Sequence, residues 1–582
     1  MSVQPVKEFR LKGGQAILDY IRRFSATEKA IFGLFAIAAG LTALLMANQV
    51  NNLFTVEVPT SGGTLREGLI GLPHTINPVL AVTDADRDLT SLVYAGLTKY
   101  SHGELVPDLA SGWTVSSDGL TYSFTLRPNL KFQNGAPLTA ADVLFTIEKV
   151  QDRALKSPQA ADWVGITATS SSPLNVTFIL KQPYNAFLTN TTLGILPKAI
   201  WGNVSDDQFI FSEYNISPIG AGPYRVAGID RDQGGIPIDY RLTAWDGRKD
   251  VRPLISELDF YFYPDLDHAL SALNSGNIDS LPSVPPAAAA ALVSNTGELY
   301  TAVTAPLSRI FGVFFNQNVN PILADSKVRQ ALSMAIDRRA IVETVLLGYG
   351  VPINSPLPVG MLNTSATSTA AAVPAADING AASLLEQDGW QKGADGIYTK
   401  KFSKTSTKTL SLSIYTADAP DLKQAADMVA NAWTKLGVDV SVKVFEPSDL
   451  YQNVIRTRQY DALLFGEAIG KDDDLYAFWH SSERNAPGLN VAMYANTRAD
   501  RLLENIRAAT SSEDRTDLES QFEKEIATDV PAVFLYSPDF IYAVPRSLHG
   551  LELRDMTQAG DRFADITDWY IETEKVWKLF TH

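Results

Sequence analysis

The sequence predicts an α/β protein carried behind one N-terminal transmembrane helix. Three observations point there. No charged residue occurs from Ala30 to Val56, and the centre of that stretch, Ile31–Ala47, is almost wholly apolar. Strand-like and helix-like patterns alternate between residues 410 and 467. The chain has 582 residues, more than a single hydrophobic core organises.

Residues 1–29 form a basic tail with Lys7, Arg10, Lys12, Arg22, Arg23 and Lys29. The segment 30–54 that follows is long enough to cross a hydrocarbon core of ~30 Å. Positive charge on one flank only places the tail in the cytoplasm and everything after Asn52 outside. The alternative is a cleaved secretory signal, with Ala47 as the cleavage residue. Such signals have a short basic region and an apolar core of about 7–15 residues. Both are longer here, so a retained anchor is expected. After residue 60 no stretch approaches membrane-spanning length.

Further along, Tyr122–Arg127 and Asn175–Leu180 alternate as half-buried strands do. Leu258–Tyr263, Ile310–Phe315 and Ala532–Tyr536 are β-rich runs suited to buried strands. Asp325–Leu347 has helical spacing, the alanines 287–291 behind Pro285-Pro286 suit a short helix, and 363–376 and 401–408 read as loops. The clearest topology starts at the strand Leu410–Tyr415. A helix follows with one apolar stripe (Leu422, Ala425, Ala426, Val429, Ala432, Trp433, Leu436), stopped by Gly437. Then come the strand Val438–Phe445, a helix opened by Ser448, and the strand Asp461–Phe465. This βαβαβ order packs as a parallel sheet, and open sheets bind ligands beyond the carboxyl ends of their strands. Gly466 onward is therefore the first place to look for a site.

Composition removes several function classes. An apolar share of 45% and a charged share of 20% are those of a globular protein. A net charge of −16 argues against nucleic-acid binding, which needs a basic face. Without cysteine there is no disulfide, thiolate nucleophile or cysteine-bound metal. The six histidines form no HExxH, and neither a phosphate loop nor a GxSxG elbow is present. Gly220–Pro223 reads as a turn. Asp84–Asp88 reads as a solvated helix start, since Leu89 and Ala95 replace the glycine and glutamate of a calcium loop. Asp472–Asp474 suits a helix N-terminus, with a cation or amine site as the alternative. No catalytic constellation, cofactor or metal site is expected.

One stretch, Leu105–Gln151, carries PxLA, a following Trp113, DGLTYSFTLR, KFQNG and LTAADV in order. With GAGPY at 220–224, ALSALNSGNI at 269–278, Phe315-Asn316, VRQA at 328–331 and AIDR at 335–338, it resembles the oligopeptide/dipeptide/nickel extracellular solute-binding proteins, family 5. TINP at 75–78 and LVYAGLT at 92–98 match the opening of that fold. The resemblance covers roughly 62–550 and departs at Gln133-Asn134, where the family has His-Asp.

The resemblance implies a two-lobed, periplasmic-binding-protein-like fold of type II with an extra subdomain in the first lobe. Lobe I would span about 57–307 and 539–582, and lobe II 308–538, with crossings near Ser308 and Pro538. It implies a monomer that catalyses nothing, captures peptides between its lobes, and delivers them to ABC permease and ATPase subunits. Ligand contacts would come from Thr75, Ile76 and Asn77 in lobe I. In lobe II the family's amine-binding Asp is missing from Gly466–Gly470, so Glu467 is the first substitute and Asp472 the second. Trp479 is expected in the core. A membrane-anchored solute sensor, a binder of a sugar or metal chelate, and an extracellular hydrolase are the competing readings. The short tail leaves no room for a signalling domain, and the empty motif screen disfavours a hydrolase.

Overall fold

A computed structural model describes residues 24–580 except 185, 249–251, 297–298, 358, 360–372, 404–405, 472–473, 510 and 555. The basic tail up to residue 23, most of the loop 363–376 and Asp472 lie outside the described residues. The chain divides into two units, one of residues up to Thr60 with Glu572 onward, the other Ser61–Ile571.

In the first unit a helix runs from Ala26 to Phe54. Ser25 caps it: the Ser25 hydroxyl accepts from the Glu28 N–H, and the Glu28 carboxylate accepts from the Ser25 N–H in return. Leu34, Phe35, Ile37, Leu41, Leu44 and Leu45 all point outward, which suits a lipid surrounding. The strand Thr55–Pro59 follows without a loop and pairs antiparallel with Thr573–Trp577. Residues 573–577, expected with the first lobe, are grouped with Thr55–Pro59 in the first unit through this pairing.

The second unit contains two large hydrophobic cores. One draws on residues between Leu65 and Phe260, with Ala305 and Phe540–Trp569. It packs on a sheet of order Gly62–Ile70, Ile255–Tyr263, Pro237–Ala244, Tyr224–Arg231, whose first pair is parallel. An antiparallel four-stranded sheet, Ala110–Val115, Thr121–Leu126, Asn175–Ile179, Thr167–Ser172, packs into the same core. Close backbone approach dictates the glycines here. A Cβ on Gly220 would lie 2.1 Å from the Val93 carbonyl, and one on Gly222 2.5 Å from that of Leu92.

The other core draws on residues from Ile310 to Tyr536. Its helix Pro420–Leu436 buries Leu422, Ala425, Ala426, Val429, Trp433 and Leu436, and Gly437 ends it at φ 114°. The strands Ser411–Ala417, Asp439–Phe445 and Ala462–Ala468 are parallel, with the first in the middle. Three local expectations need correction. The helix after Asp439–Phe445 begins behind Glu446, with Pro447 in its first turn, so Ser448 lies inside it. The span 325–347 is two helices, Ser326–Met334 and Arg338–Val345, because the Asp337 side chain caps the second by accepting from Ala340 N–H. Ala532–Tyr536 is the first third of a 14-residue strand, Ala532–Pro545. That strand pairs with Arg309–Phe315 through its first half and with Tyr300–Pro306 through its second. Pro538 sits at the change of partner, where its carbonyl accepts from Leu307 N–H at 2.9 Å.

The helix Asp84–Val93 does start at the acidic cluster, but that start is not solvated: Asp86 and Asp88 are buried. Asp86 accepts from the His74 and Thr75 N–H groups at 2.6 and 2.8 Å. Asp88 meets Arg562 at 2.6 Å, and Arg562 also pairs with Glu67 through Nε at 3.0 Å and through a second nitrogen. Tyr542 donates to Glu67 at 2.5 Å and Ser280 at 3.2 Å. Burial lifts the Asp88 carboxyl to about 6, although Arg562 pulls the other way. The Asp88 and Glu67 carboxylates hold Arg562 above its ordinary value against the opposing effect of burial. Removing Arg562 would strand two carboxylates in the core. Arg562→Met should cost about 3–5 kcal/mol of stability by chemical denaturation. A loss under about 1 kcal/mol would show that the acids find other partners.

Candidate functional site

The strand Ala462–Ala468 lies inside the sheet, antiparallel to Arg309–Phe315 on one side and parallel to Ser411–Ala417 on the other. Gly466 is small because a Cβ there would lie 2.7 Å from the Phe311 ring, which stacks on Tyr536. Just past the strand, the Ile469 N–H donates to the Ser308 carbonyl at 2.9 Å. The chain then enters a cavity of about 570 Å³ at Gly470 and Lys471. Every other described residue of the wall lies at or before Arg248 or at or after Thr557, on the side of the other core. Tyr94, Tyr100 and Phe563 give it aromatic faces, and Arg87, Lys99, Asp108 and Asp162 give it charge.

Lys471 is the cation that reaches across. Its Nζ stands 3.0 Å from Asp561 Oδ1 and 4.4 Å from the centre of the Tyr100 ring. The second Asp561 oxygen accepts from Thr557 N–H, Thr557 Oγ1 and Gln558 N–H at 2.7–3.0 Å, so the carboxylate is fixed before any lysine arrives. The Lys471 and Asp561 side chains are 15% and 9% exposed, and salt screens such a pair little. Asp108 and Arg248 form a buried pair at 2.6 Å in the same wall. Aromatic faces, hydroxyls and fixed charges suit a polar solute held by several modest contacts.

The residues expected from the sequence fall differently. Thr75 N–H donates to Asp86, Ile76 N–H to the Asn215 carbonyl at 2.8 Å, and Asn77 Nδ2 to Asn215 Oδ1 at 3.0 Å. Ile76 and Asn77 are fully buried, so this turn is held from within, and Pro78 and Ala81 after it reach the cavity wall. Glu467 is opposite Ile310 on the strand, and it is buried with neither oxygen partnered among the described residues. Burial raises its pKa well above 4.5, which favours the neutral form. Trp479 is in the core, against Phe314 and Phe534. Asp474 accepts from Tyr476 N–H and pairs with Arg507. The structure thus does not gather 75–77 and Glu467 on one cavity wall. Sequence reasoning missed Tyr100, Lys471 and Asp561. Lys471 carried a usable signal, its place after a strand end; Asp561 carried none, being 90 residues from its partner.

Because the folded pKa of Glu467 is raised, its contribution to stability is complete below about pH 4.5 and is lost as pH rises through the folded value. Glu467→Gln should remove that loss, so the variant's melting temperature should exceed the parent's at neutral and alkaline pH. Parallel pH profiles for the two proteins would show that the carboxyl is solvated or paired.

Comparison with known proteins agrees with this architecture. The oligopeptide-binding protein AppA of Bacillus subtilis is 28% identical over 502 residues, covering 84% of this chain and 89% of its own. Its structure, solved in complex with a nonapeptide, is similar at a TM-score of 0.65 with 26% identity, over 88% of this chain and 100% of that one. NikZ from Campylobacter jejuni, in complex with Ni(L-His), gives 0.67 with 25% identity over 87% and 99%. The family model for bacterial extracellular solute-binding proteins, family 5 (middle region), matches residues 104–487. With that match across most of the chain, the protein belongs to the family 5 extracellular solute-binding proteins, α/β proteins of two lobes.

Proposed function

We propose that this chain is the extracytoplasmic solute-binding subunit of an ABC importer, and that it captures peptides between two lobes. The observation that carries the reading is the cavity whose wall comes from one core and whose closing residues, Gly470 and Lys471, come from the other. AppA, a relative with similar structure, was solved with a nonapeptide bound. The lobes on this reading are 61–307 with 539–571, and 308–538. The chain passes between them at Leu307–Ser308 and Ser537–Pro538, where Leu307 N–H donates to the Pro538 carbonyl and Ser537 Oγ to that of Leu307.

Ligand touching both lobes favours the closed arrangement by its difference in affinity for the two. The turn Thr75–Asn77 carries Pro78 and Ala81 into the wall. Glu467, which burial holds toward its neutral form off the cavity wall, is the first carboxylate for a peptide ammonium only where opening of the lobes uncovers it, and Asp472 is the second for that role. The helix Ala26–Phe54 is a retained single span that tethers a monomer outside the cytoplasm. No chemistry is asked of the bound solute; ATP hydrolysis belongs to the transporter's other subunits.

A peptide at a hundred times its Kd should stabilise the full chain by about 2.7 kcal/mol, read as a rise in melting temperature. A rise with metal chelates or sugars and none with peptides would reassign the solute. Lys471→Met should strand Asp561 and release the lobes, a change of up to about 3 kcal/mol. In the cysteine-free chain, nitroxides at Ser170→Cys and Asp427→Cys should move apart in that variant. An unchanged distance distribution would remove Lys471 from closure.

A further inference from the structure

The helix Ala26–Phe54 is 29 residues long, about 44 Å at 1.5 Å per residue. A hydrocarbon core of ~30 Å takes about 20 residues, which from Ala30 ends near residue 49. Phe54 then stands about 7 Å further out, inside a headgroup layer about 5–8 Å thick. The strand Thr55–Pro59 leaves the membrane from there. Its partner Thr573–Trp577 is antiparallel, so it runs back toward the membrane, and the register sets Trp577 opposite Thr55. Trp577 ends level with the last helical residue, stacked on Phe54 at 6.2 Å and 14° between planes. The chain continues past that level in the single turn Lys578–Phe580. Phe54, Trp577 and Leu579 are 54%, 49% and 77% exposed, large apolar side chains that the described residues leave about half or more uncovered.

Tryptophan favours the headgroup level, where its ring is half in apolar surroundings and its N–H stays wet. We propose that the segment Trp577–Leu579 is a second, interfacial membrane anchor. With Phe54 it inserts Trp577 and Leu579 into the outer headgroup layer of the bilayer that the helix crosses. The partner is the lipid surface, because the patch continues the apolar surface of the helix and lies at headgroup depth. The hairpin thereby ties two distant parts of the chain, residues 54–59 and 573–579, to the same plane. The inference rests on the reading of the helix as a retained span, and its test keeps the two apart.

Absence of cysteine makes single labels unambiguous. The full chain carrying a nitroxide at Ala38→Cys, Leu579→Cys or Ser170→Cys is reconstituted into phosphatidylcholine–phosphatidylglycerol vesicles. Power saturation with oxygen and with a water-soluble nickel chelate then reports depth. The expected result is a deep label at 38, an aqueous one at 170, and a label at 579 that loses most of its access to nickel relative to 170. In a Trp577→Ser background the 579 label should return toward the aqueous value, which shows that the tryptophan, not the nitroxide, drives insertion. A label at 38 in hydrocarbon with 579 as accessible as 170 overturns the proposal and leaves the span intact. In that case the patch would be left for a protein partner absent from the vesicles. Water access at both 38 and 579 overturns the span and the second anchor together. A 579 label whose depth ignores Trp577→Ser overturns the role given to that residue.

Discussion

Arg562 sits fully buried between Glu67 and Asp88, and the first core is assembled around that contact. Each partner comes from a different stretch of chain: the opening strand Gly62–Ile70, the helix Asp84–Val93, and a segment nearly 500 residues further on. Tyr542 adds the long strand Ala532–Pro545 to the same cluster. Dehydrating three charges costs more than an equal volume of hydrocarbon would, so such a cluster does not add stability freely. What it supplies here is position. A chain that builds a second core before returning needs its return docked in one register, and a misplaced Arg562 leaves two buried carboxylates unpaired.

The same strand that carries Tyr542 also joins the two cores. One half of it belongs to each, and the change of partner falls at Pro538, which has no N–H to offer a ladder. Few backbone bonds cross between the cores there, and Ile469, bonded to Ser308, sits beside them. Gly470 and Lys471 follow directly. On the proposed reading, the residues that close the cavity are placed immediately beyond the point about which the lobes turn, so a small rotation moves them relative to Asp561 and Tyr100.

The helix and the hairpin that extends it share one logic. Within the described residues of their own unit neither has a core to bury its apolar side chains, and both rely on backbone pairing or helical bonding to satisfy their polar groups. Trp577 and Phe54 cover one another only in part.

Where information is local, the chain spelled out its own structure. The stripe Leu422–Leu436 ended by Gly437 and the alternation in Tyr122–Arg127 each follow from the period of an element that buries one face, and the run 31–47 from its unbroken apolar composition. Local signals failed where long-range contacts decide. Asp88 reads as solvated until Arg562 is placed beside it, and the span 325–347 reads as one helix until Asp337 caps a second. Glu467 reads as the substitute for an amine-binding carboxylate in the cleft, whereas the sheet buries it. Sequence alone therefore determined the anchor-like helix, the α/β class, the acidic charge and the family pattern, since these depend on composition and near-neighbour spacing. Only tertiary structure decided which residues wall the cavity, that Lys471 reaches Asp561, and that Trp577 returns to the helix end. Those facts depend on where segments hundreds of residues apart are packed, and no short-range period encodes that.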